Sequence, residues 1–577
     1  MPRRGSVLLL AAFFIVMQAA VLPPDGFMTG DQGSKFLQAR AFAANGLLNP
    51  SIEVLSRDID PRYEHQEPKL KNRRGRLVSE FLWLLPMTTA PFVRVFGVRG
   101  TYAIPALSAI AIFLCAARLA RRPEDPDGVR TAWTVMAMTP AIFYGLELWE
   151  HGPAAACVIA AAVLLAPGPT DARASRIRAA AGGAMVMCGF LFREEAIAAL
   201  PALLIARAAS GRPEGLRYGS AEGMRDEGTM GEFVSTSLWA AAGVAAVFIA
   251  SMPMNHMMYG AVLPMHVTQD AWEYAKNISY TQVRRDIVVL LFMPAEFRFV
   301  YAAAMLAGIA AAFHRYRSGV DSRGALAVVH ASVAVTTGIA VLLPLIRIAA
   351  GAPLHEAYNV MSAAHGWAFV PALLYLPWVT RSPAPPRRFL VVSGILTVLF
   401  TAVIVPSYAG AQWSPRFFLQ AAPLLALPVA AMVWDSLARR SVLAAARAVV
   451  LAALVMQVSG VLLLVHAKKR FADVTHVLAR LTPDGAVVLS DVYWVPEVTA
   501  SLATERRLLF SWSSADMPSL AALAAHAGIE RVYLVTFPVQ TGFVAPPALN
   551  SPGVHCTKGR EFGLDTYGLV LTRYACR

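Results

Sequence analysis

Apolar runs close to the length needed to cross hydrocarbon recur along almost the whole of this 577-residue chain, and they limit its fold more than any other feature. A helix rises 1.5 Å per residue, so about 20 apolar residues cross the ~30 Å core of a bilayer. Runs of this kind occupy residues 6–22, 102–119, 131–148, 152–166, 179–192, 196–208, 237–253, 297–313, 325–346, 367–379, 389–406, 417–434 and 449–465. They predict an all-α polytopic membrane protein of about thirteen transmembrane helices. Composition agrees: 56% of residues are apolar and 15% charged, against about 45–50% and about 25% in soluble domains. Disordered, coiled-coil, collagen-like and secreted disulfide-framework classes are excluded. No internal repeat is visible, which weakens a secondary-transporter reading.

Charge sets the expected orientation. Met1-Pro2-Arg3-Arg4 precedes the first run, which reads as an uncleaved span with a cytoplasmic N-terminus; small residues at Ala19-Ala20 leave signal cleavage as the alternative. Alternate loops then carry Arg118/Arg121/Arg122/Arg130, Arg173/Arg176/Arg178, Arg207/Arg212/Arg217/Arg225, Arg315/Arg317/Arg323, Arg381/Arg387/Arg388 and Arg439/Arg440/Arg447, whereas the short outer connections hold Arg193, Arg347 and Arg416. This is the positive-inside asymmetry. Most of the net charge of +14 falls in these inner segments, so it is a topological signal and a nucleic-acid partner is not expected. An odd number of spans places the tail outside. The expected division is a transmembrane domain over 1–465, including an external loop over 23–99, and an extracytoplasmic α/β domain over 466–577. Within the loop, residues 81–97, broken by Pro86, Pro91 and Arg94, read as an interfacial helix. In the tail, 474–481 and 520–526 read as helices and 486–490, 530–537 and 569–574 as strands. Cys115, Cys157 and Cys188 fall in spans, while Cys556 and Cys576 fall in the external tail, where a disulfide is expected.

Candidate chemistry gathers at outer span ends. Asp31 follows the first run within Thr29-Gly30-Asp31-Gln32-Gly33-Ser34-Lys35, where it can accept a proton or serve as a helix N-cap. Glu147, Glu150 and His151 share one tight turn, and Arg193-Glu194-Glu195 another. Arg416 opens a late span, where it can hold a lipid-linked phosphate or snorkel. Lys69, Lys71, Arg73, Arg74 and Arg76 form a cationic strip before the interfacial helix, suited to lipid head groups or an anionic substrate. His256 and His266, with His151, are candidate ligands for a divalent metal, the only cofactor suggested, although they have no recognisable ligand spacing. No Walker loop, dinucleotide fingerprint or zinc-protease helix is present.

The order of these features resembles the GT-C superfamily of membrane glycosyltransferases, especially the branch of bacterial protein O-mannosyltransferases and the lipid A aminoarabinose transferase. The stretch from Thr29 to Arg40 is similar to that family's Asp-Glu-x-x-Tyr segment, with Gln32 in place of the glutamate; 82–97, with Phe96-Gly97, resembles its interfacial segment. Glu150 matches its second acidic position, and Ser414-Pro415-Arg416-Phe417 looks like its Gly-Pro-Arg-Tyr segment. The resemblance spans about residues 1–440. It implies an inverting glycosyltransferase at the outer face of a bacterial cytoplasmic membrane, taking sugar from a polyprenyl-phosphate donor to a lipid, glycan or protein acceptor. Asp31 would be the general base and Glu150 would orient the acceptor or help hold a metal. Lys35, Arg40, Arg73, Arg74, Arg193, Glu194, Arg347 and Arg416 would serve the substrate and its phosphate among membrane lipids. A transporter or flippase of lipid-linked or anionic solutes, and a lipid-binding scaffold without catalysis, are the alternatives.

Overall fold

The computed structural model describes residues 4–28, 30–168, 171–210, 227–264, 280–292, 297–358, 362–379, 385–405, 413–435, 438–564 and 568–577. The chain divides into two compact units. A membrane unit comprises 1–14, 105–252 and 269–463, and an α/β unit comprises 15–104, 253–268 and 464–577.

Among the described residues, eight helices are long and apolar enough to cross a membrane, rather than the thirteen expected: Arg4–Val21, Leu84–Leu119, Met230–Tyr259, Arg298–Ser318, Arg323–Ala349, Arg387–Ile404, Arg416–Val433 and Arg440–Leu481. Length explains much of the difference. Runs of 13 to 15 residues were counted as spans, yet 15 helical residues reach only about 22 Å. His151–Leu165 and Val370–Val379 are such short apolar helices. The run at 131–148 is broken because Pro140 lacks an N–H and disfavours helix at Thr139: one helix ends at Met138 and a five-residue turn follows at Ala141–Gly145. The run at 196–208 is a 3-10 turn, Glu194–Ala198, followed by a 12-residue helix, Ala199–Ser210. Within the membrane unit, Arg416–Val433 is the central element, 94% buried, and its Ala422–Val433 helix is apolar on every face.

In the α/β unit, the segment expected to be interfacial forms a helix over Leu84–Phe96 that buries Leu85, Thr89, Ala90 and Val93 and leaves Val95 and Phe96 exposed. A 3-10 turn, Gly97–Tyr102, joins it to Ala103–Leu119. The helix expected over 474–481 is the end of a 42-residue helix, Arg440–Leu481, so the expected division at 465/466 falls inside one element. The first loop contains a hairpin, β1 (Leu70–Arg73) and β2 (Arg76–Ser79). The tail contributes β3 (Val487–Ser490), β4 (Arg507–Phe510), β5 (Arg531–Thr536), β6 (Ala548–Ser551), β7 (Val554–Gly563) and β8 (Val570–Cys576) in one mixed sheet of order β4-β3-β5-β8-β7-β6. The β3–β4 and β3–β5 pairs are parallel and the others antiparallel. β3 is apolar over Val487–Leu489 without alternation because it is buried on both faces. The helix Met517–His526 covers the sheet through Met517, Leu520 and Ala521, which pack on Val487, Leu489, Val532 and Leu534. Cys556 and Cys576 face each other across β7–β8 and are disulfide-bonded, with Cα atoms 3.9 Å apart.

The first loop is tied to the tail along its length. Leu55 N–H donates to the Ala503 carbonyl at 3.0 Å, and Phe510 N–H to the His65 carbonyl at 2.8 Å. The Arg507 guanidinium donates to Asp58 at 2.9 Å and holds that carboxyl below its ordinary range.

Candidate active site

The helix Gly30–Asn45 carries Asp31 in its first turn, where the positive end of the helix dipole favours a carboxylate. Asp31 is half-buried, whereas Gln32, Ser34, Lys35 and Gln38 are buried. Gln32 accepts from Met28 N–H at 2.9 Å and so pins the chain entering the helix, a role its amide fills without a charge. One turn beyond Asp31, the Lys35 ammonium lies 4.2 Å from the centre of the Phe81 ring. Lys69 approaches the same ring at 5.8 Å. Arg40 bonds Thr504 at 3.0 Å and packs over Phe36, and burial pulls its pKa down.

Glu80, which the sequence reading passed over, sits buried beside the cationic strip and takes Lys69 at 2.8 Å and Lys71 at 3.3 Å. The strip is therefore partly neutralised from within. Arg74 and Gly75 form the hairpin tip with φ of 54° and 78°, two successive left-handed residues as a type I′ turn requires. Buried Glu67 and Glu497 complete the cluster. Burial and each other's charge push the Glu67 carboxyl well up. Burial, followed by the charge of Asp31, pushes Glu497 up to about 8.

Gly33 explains how Glu497 comes so near Asp31. A Cβ on Gly33 would lie 1.9 Å from the Glu497 carbonyl oxygen and 2.9 Å from the Ala500 Cβ, so only a bare backbone admits the short helix Trp494–Val498. Gly33→Ala removes a glycine from the first turn of a helix, a gain of up to about 1 kcal/mol. The overpacking costs about 1–3 kcal/mol or more. A net loss of thermal stability is expected, with faster amide exchange over 494–500; unchanged exchange there would contradict the close approach.

In the membrane unit, Arg193 is extended and buried; it donates to Glu150 at 3.0 Å and to Glu195 Oε1 at 3.2 Å, and is ion-paired with Glu194 at 3.9 Å. Its guanidinium also stacks 5.0 Å from the Phe417 ring centre. Arg193 thus orients the carboxylates that the sequence placed in two separate turns. Arg416 lies over Trp149 at 5.4 Å and Phe417 at 5.2 Å. His151 packs edge-on against Tyr144, Trp149 and Phe417. Arg347 donates to the Ala357 carbonyl at 3.0 Å near its helix end.

Ser414 carries φ of 71°, is fully buried, and its hydroxyl has no hydrogen-bond partner among the described residues. It stands where the resembled segment has glycine. Left-handed backbone costs a non-glycine residue about 1–3 kcal/mol, and glycine's extra unfolded-state freedom returns about 0.4–1 kcal/mol of that. Ser414→Gly should therefore stabilise the protein by about 1 kcal/mol in thermal unfolding; destabilisation would contradict the strained turn.

His256 is exposed in the α/β unit, His151 is buried in the membrane unit, and His266 lies outside the described residues. Among the described residues, no three His, Cys, Asp or Glu side chains are grouped to hold a metal ion, so no step is routed through one.

Fold and sites together define a polytopic membrane protein with a mixed α/β domain and two charged clusters. No protein-family model and no curated protein matches the chain. Among solved structures, it is similar to ArnT from Cupriavidus metallidurans bound to undecaprenyl phosphate, with 14% identity, 99% of this chain and 98% of that chain covered, and a TM-score of 0.42. It is also similar to the Archaeoglobus fulgidus oligosaccharyltransferase in the apo form, with 12% identity, coverage of 93% and 70%, and a TM-score of 0.45. The archaeal oligosaccharyltransferase AglB from the same organism, in complex with an inhibitory peptide and a dolichol-phosphate, is a third, with 13% identity, coverage of 92% and 69%, and a TM-score of 0.43. Likenesses at these scores assign neither an activity nor a residue's role to this chain.

Proposed function

We propose that the protein is a glycosyltransferase that moves a sugar, with inversion, from a polyprenyl-phosphate donor to an acceptor hydroxyl at the outer face of a bacterial cytoplasmic membrane. The observation that carries this reading is the Asp31 cluster: a half-buried carboxylate in the first turn of a helix, with two lysines on the neighbouring Phe81 ring. Asp31 takes the proton of the acceptor hydroxyl as its oxygen attacks the anomeric carbon; the bond from that carbon to the phosphate oxygen breaks, and the electron pair leaves with the lipid phosphate. Cations stabilise that departing charge. Lys35, Arg40, Arg73 and Arg74 are the candidates in the α/β unit, and Arg416 is the candidate in the membrane unit. Glu150, held by Arg193, is proposed to orient the acceptor.

The outer location is supported by the Cys556–Cys576 disulfide, which fits an oxidising compartment. The helix count alone does not set the side. Purified protein given a panel of radiolabelled polyprenyl-phosphate sugars should consume at least one donor and release polyprenyl phosphate. Consumption of none by a protein that still binds polyprenyl phosphate would refute transfer.

A further inference from the structure

The three parallel strands of the α/β unit lie in the order β4-β3-β5, so the chain leaves β3 to one side and later returns on the other. In open α/β sheets, ligands bind outside the carboxyl ends of the strands at such a reversal. Aromatic residues collect at this edge. Tyr493 follows β3 and Trp512 follows β4; their rings are inclined by 20° with centres 5.9 Å apart, and they are 46% and 74% exposed. The ledge they make is fixed from behind. Trp512 meets buried Phe510 edge-on at 5.0 Å, and Ser513 N–H donates to the Ser511 hydroxyl at 3.2 Å in the same loop. Trp494 Nε1 donates to Gln540 at 3.1 Å, and its ring packs edge-on against Phe471 and against Phe537, which follows β5. Two polar atoms at the edge are buried without a hydrogen-bond partner among the described residues: the hydroxyl of Thr536, the last residue of β5 and 1% exposed, and Oδ1 of Asp491, the residue after β3. Thr541 also approaches the Asp491 carboxyl. Ser490 pairs with Val535, so Asp491 and Thr536 stand at neighbouring strand ends. Unmet buried polar atoms are few in native structures. The loops 491–496, 511–516 and 537–542 contain no Lys, Arg or His and carry Asp491 and Asp516, so this edge repels anions.

We propose that this edge is a subsite for a neutral oligosaccharide, in which one pyranose ring lies on the Tyr493–Trp512 ledge while Asp491 and Thr536 take hydroxyl groups of the same sugar chain. The negative face of an aromatic ring attracts the polarised C–H bonds of a sugar ring, and a carboxylate oxygen accepts from sugar hydroxyls. A phosphate or an acidic lipid head group meets no cation here. An acyl chain would cover the rings and leave Asp491 and Thr536 unmet. Trp512 and Thr536 stand beyond strands two apart in the sheet, about 10 Å, so a ligand touching both is longer than one sugar ring. Tyr493 precedes Glu497 by one helical turn, and the Glu497 carbonyl rests on the bare backbone of Gly33. A sugar chain on the ledge is thus held next to the helix that begins at Gly30 and carries Asp31. That this sugar is the acceptor rests on the transfer reading; the subsite itself does not.

The test probes the full-length protein in nanodiscs with an array of neutral and acidic oligosaccharides, then measures affinity for the best-bound neutral one by calorimetry. The wild type should bind at least one neutral oligosaccharide. Trp512→Ala, at an exposed position the fold does not depend on, should bind it about tenfold more weakly, and Trp512→Phe should recover part of the loss. Asp491→Asn should also weaken binding by about tenfold, because a charge-assisted hydrogen bond becomes a neutral one. No neutral saccharide bound by the folded wild type, or Trp512→Ala and Asp491→Asn binding as the wild type does, overturns the proposal. So does a Trp512→Ala defect confined to the docking of sugar-free vesicles of phosphatidylethanolamine and phosphatidylglycerol, which would make the ledge a membrane anchor. If saccharide binding depends on the ledge while no polyprenyl-phosphate sugar is consumed, the subsite stands and the transfer reading falls. If a donor is consumed and Trp512→Ala equals the wild type in acceptor KM and in saccharide binding, transfer stands and the subsite falls.

Discussion

Asp31→Asn is expected to lower turnover of a polyprenyl-phosphate sugar by about 10²–10⁴-fold, the range supplied by a positioned general base. Asparagine has nearly the same shape, still accepts hydrogen bonds at the helix N-terminus, and leaves Gln32 and Lys35 in place, so the fold should persist. Donor affinity at pH 7 should hold or improve, because a negative charge beside the phosphate is gone. The substitution should also act at a distance. The Asp31 charge is the second-largest cause, after burial, that raises Glu497. Removing it lets the Glu497 carboxyl ionise at lower pH, which infrared spectra read as a protonated-carboxyl band lost at lower pH than in the wild type. Unchanged turnover in the Asn variant would remove Asp31 from the chemistry.

The largest stability effect is expected at Arg193. Arg193 is 6% exposed, and its guanidinium faces three carboxylates, of which Glu150 and Glu195 are themselves buried. Deleting one member of a buried ionic group strands the others without compensation, at a cost of about 3–5 kcal/mol. Arg193→Met keeps much of the packing against Phe417 and should show that loss as a markedly lower midpoint of thermal unfolding in detergent. Arg193→Lys should recover part of it, since an ammonium is a point charge without the planar fork that reaches Glu150 and Glu195 together. Glu150→Gln on the Met background should recover a further part by removing one stranded charge. An Arg193→Met protein as stable as the wild type would show that the network carries no net stabilisation.

The overall class was legible because apolar length and arginine bias act locally along the chain. The helix count was not, because hydropathy does not register that Pro140 breaks one run, or that Val370–Val379 is too short to cross hydrocarbon. Residues 474–481 read as a separate helix because their polarity differs from the span before them, whereas backbone hydrogen bonding continues through both. The three strands of the tail that were missed, β4, β6 and β7, are short or charged on one face. At the site, Asp31, Arg193 and Arg416 stand out by charge in apolar surroundings. Glu80 could have been found as the acid next to the cationic strip. Nothing local marks Glu67 or Glu497, whose burial depends on the tail folding back onto the first loop. Gly33, two residues after Asp31, was visible as a glycine but not as the place where a distant carbonyl would rest. Ser414 in the glycine position of a resembled segment was the one sequence signal of backbone strain.

The most direct test is to follow a sugar-labelled polyprenyl-phosphate donor in proteoliposomes containing the purified protein, measuring bond cleavage and transbilayer movement together by mass spectrometry and leaflet-specific labelling. Sugar transfer predicts free polyprenyl phosphate accumulating with time and a product of inverted anomeric configuration, both lost in Asp31→Asn. Donor recovered intact but moved to the opposite leaflet, equally in wild type and Asp31→Asn, would contradict it and establish a transporter instead.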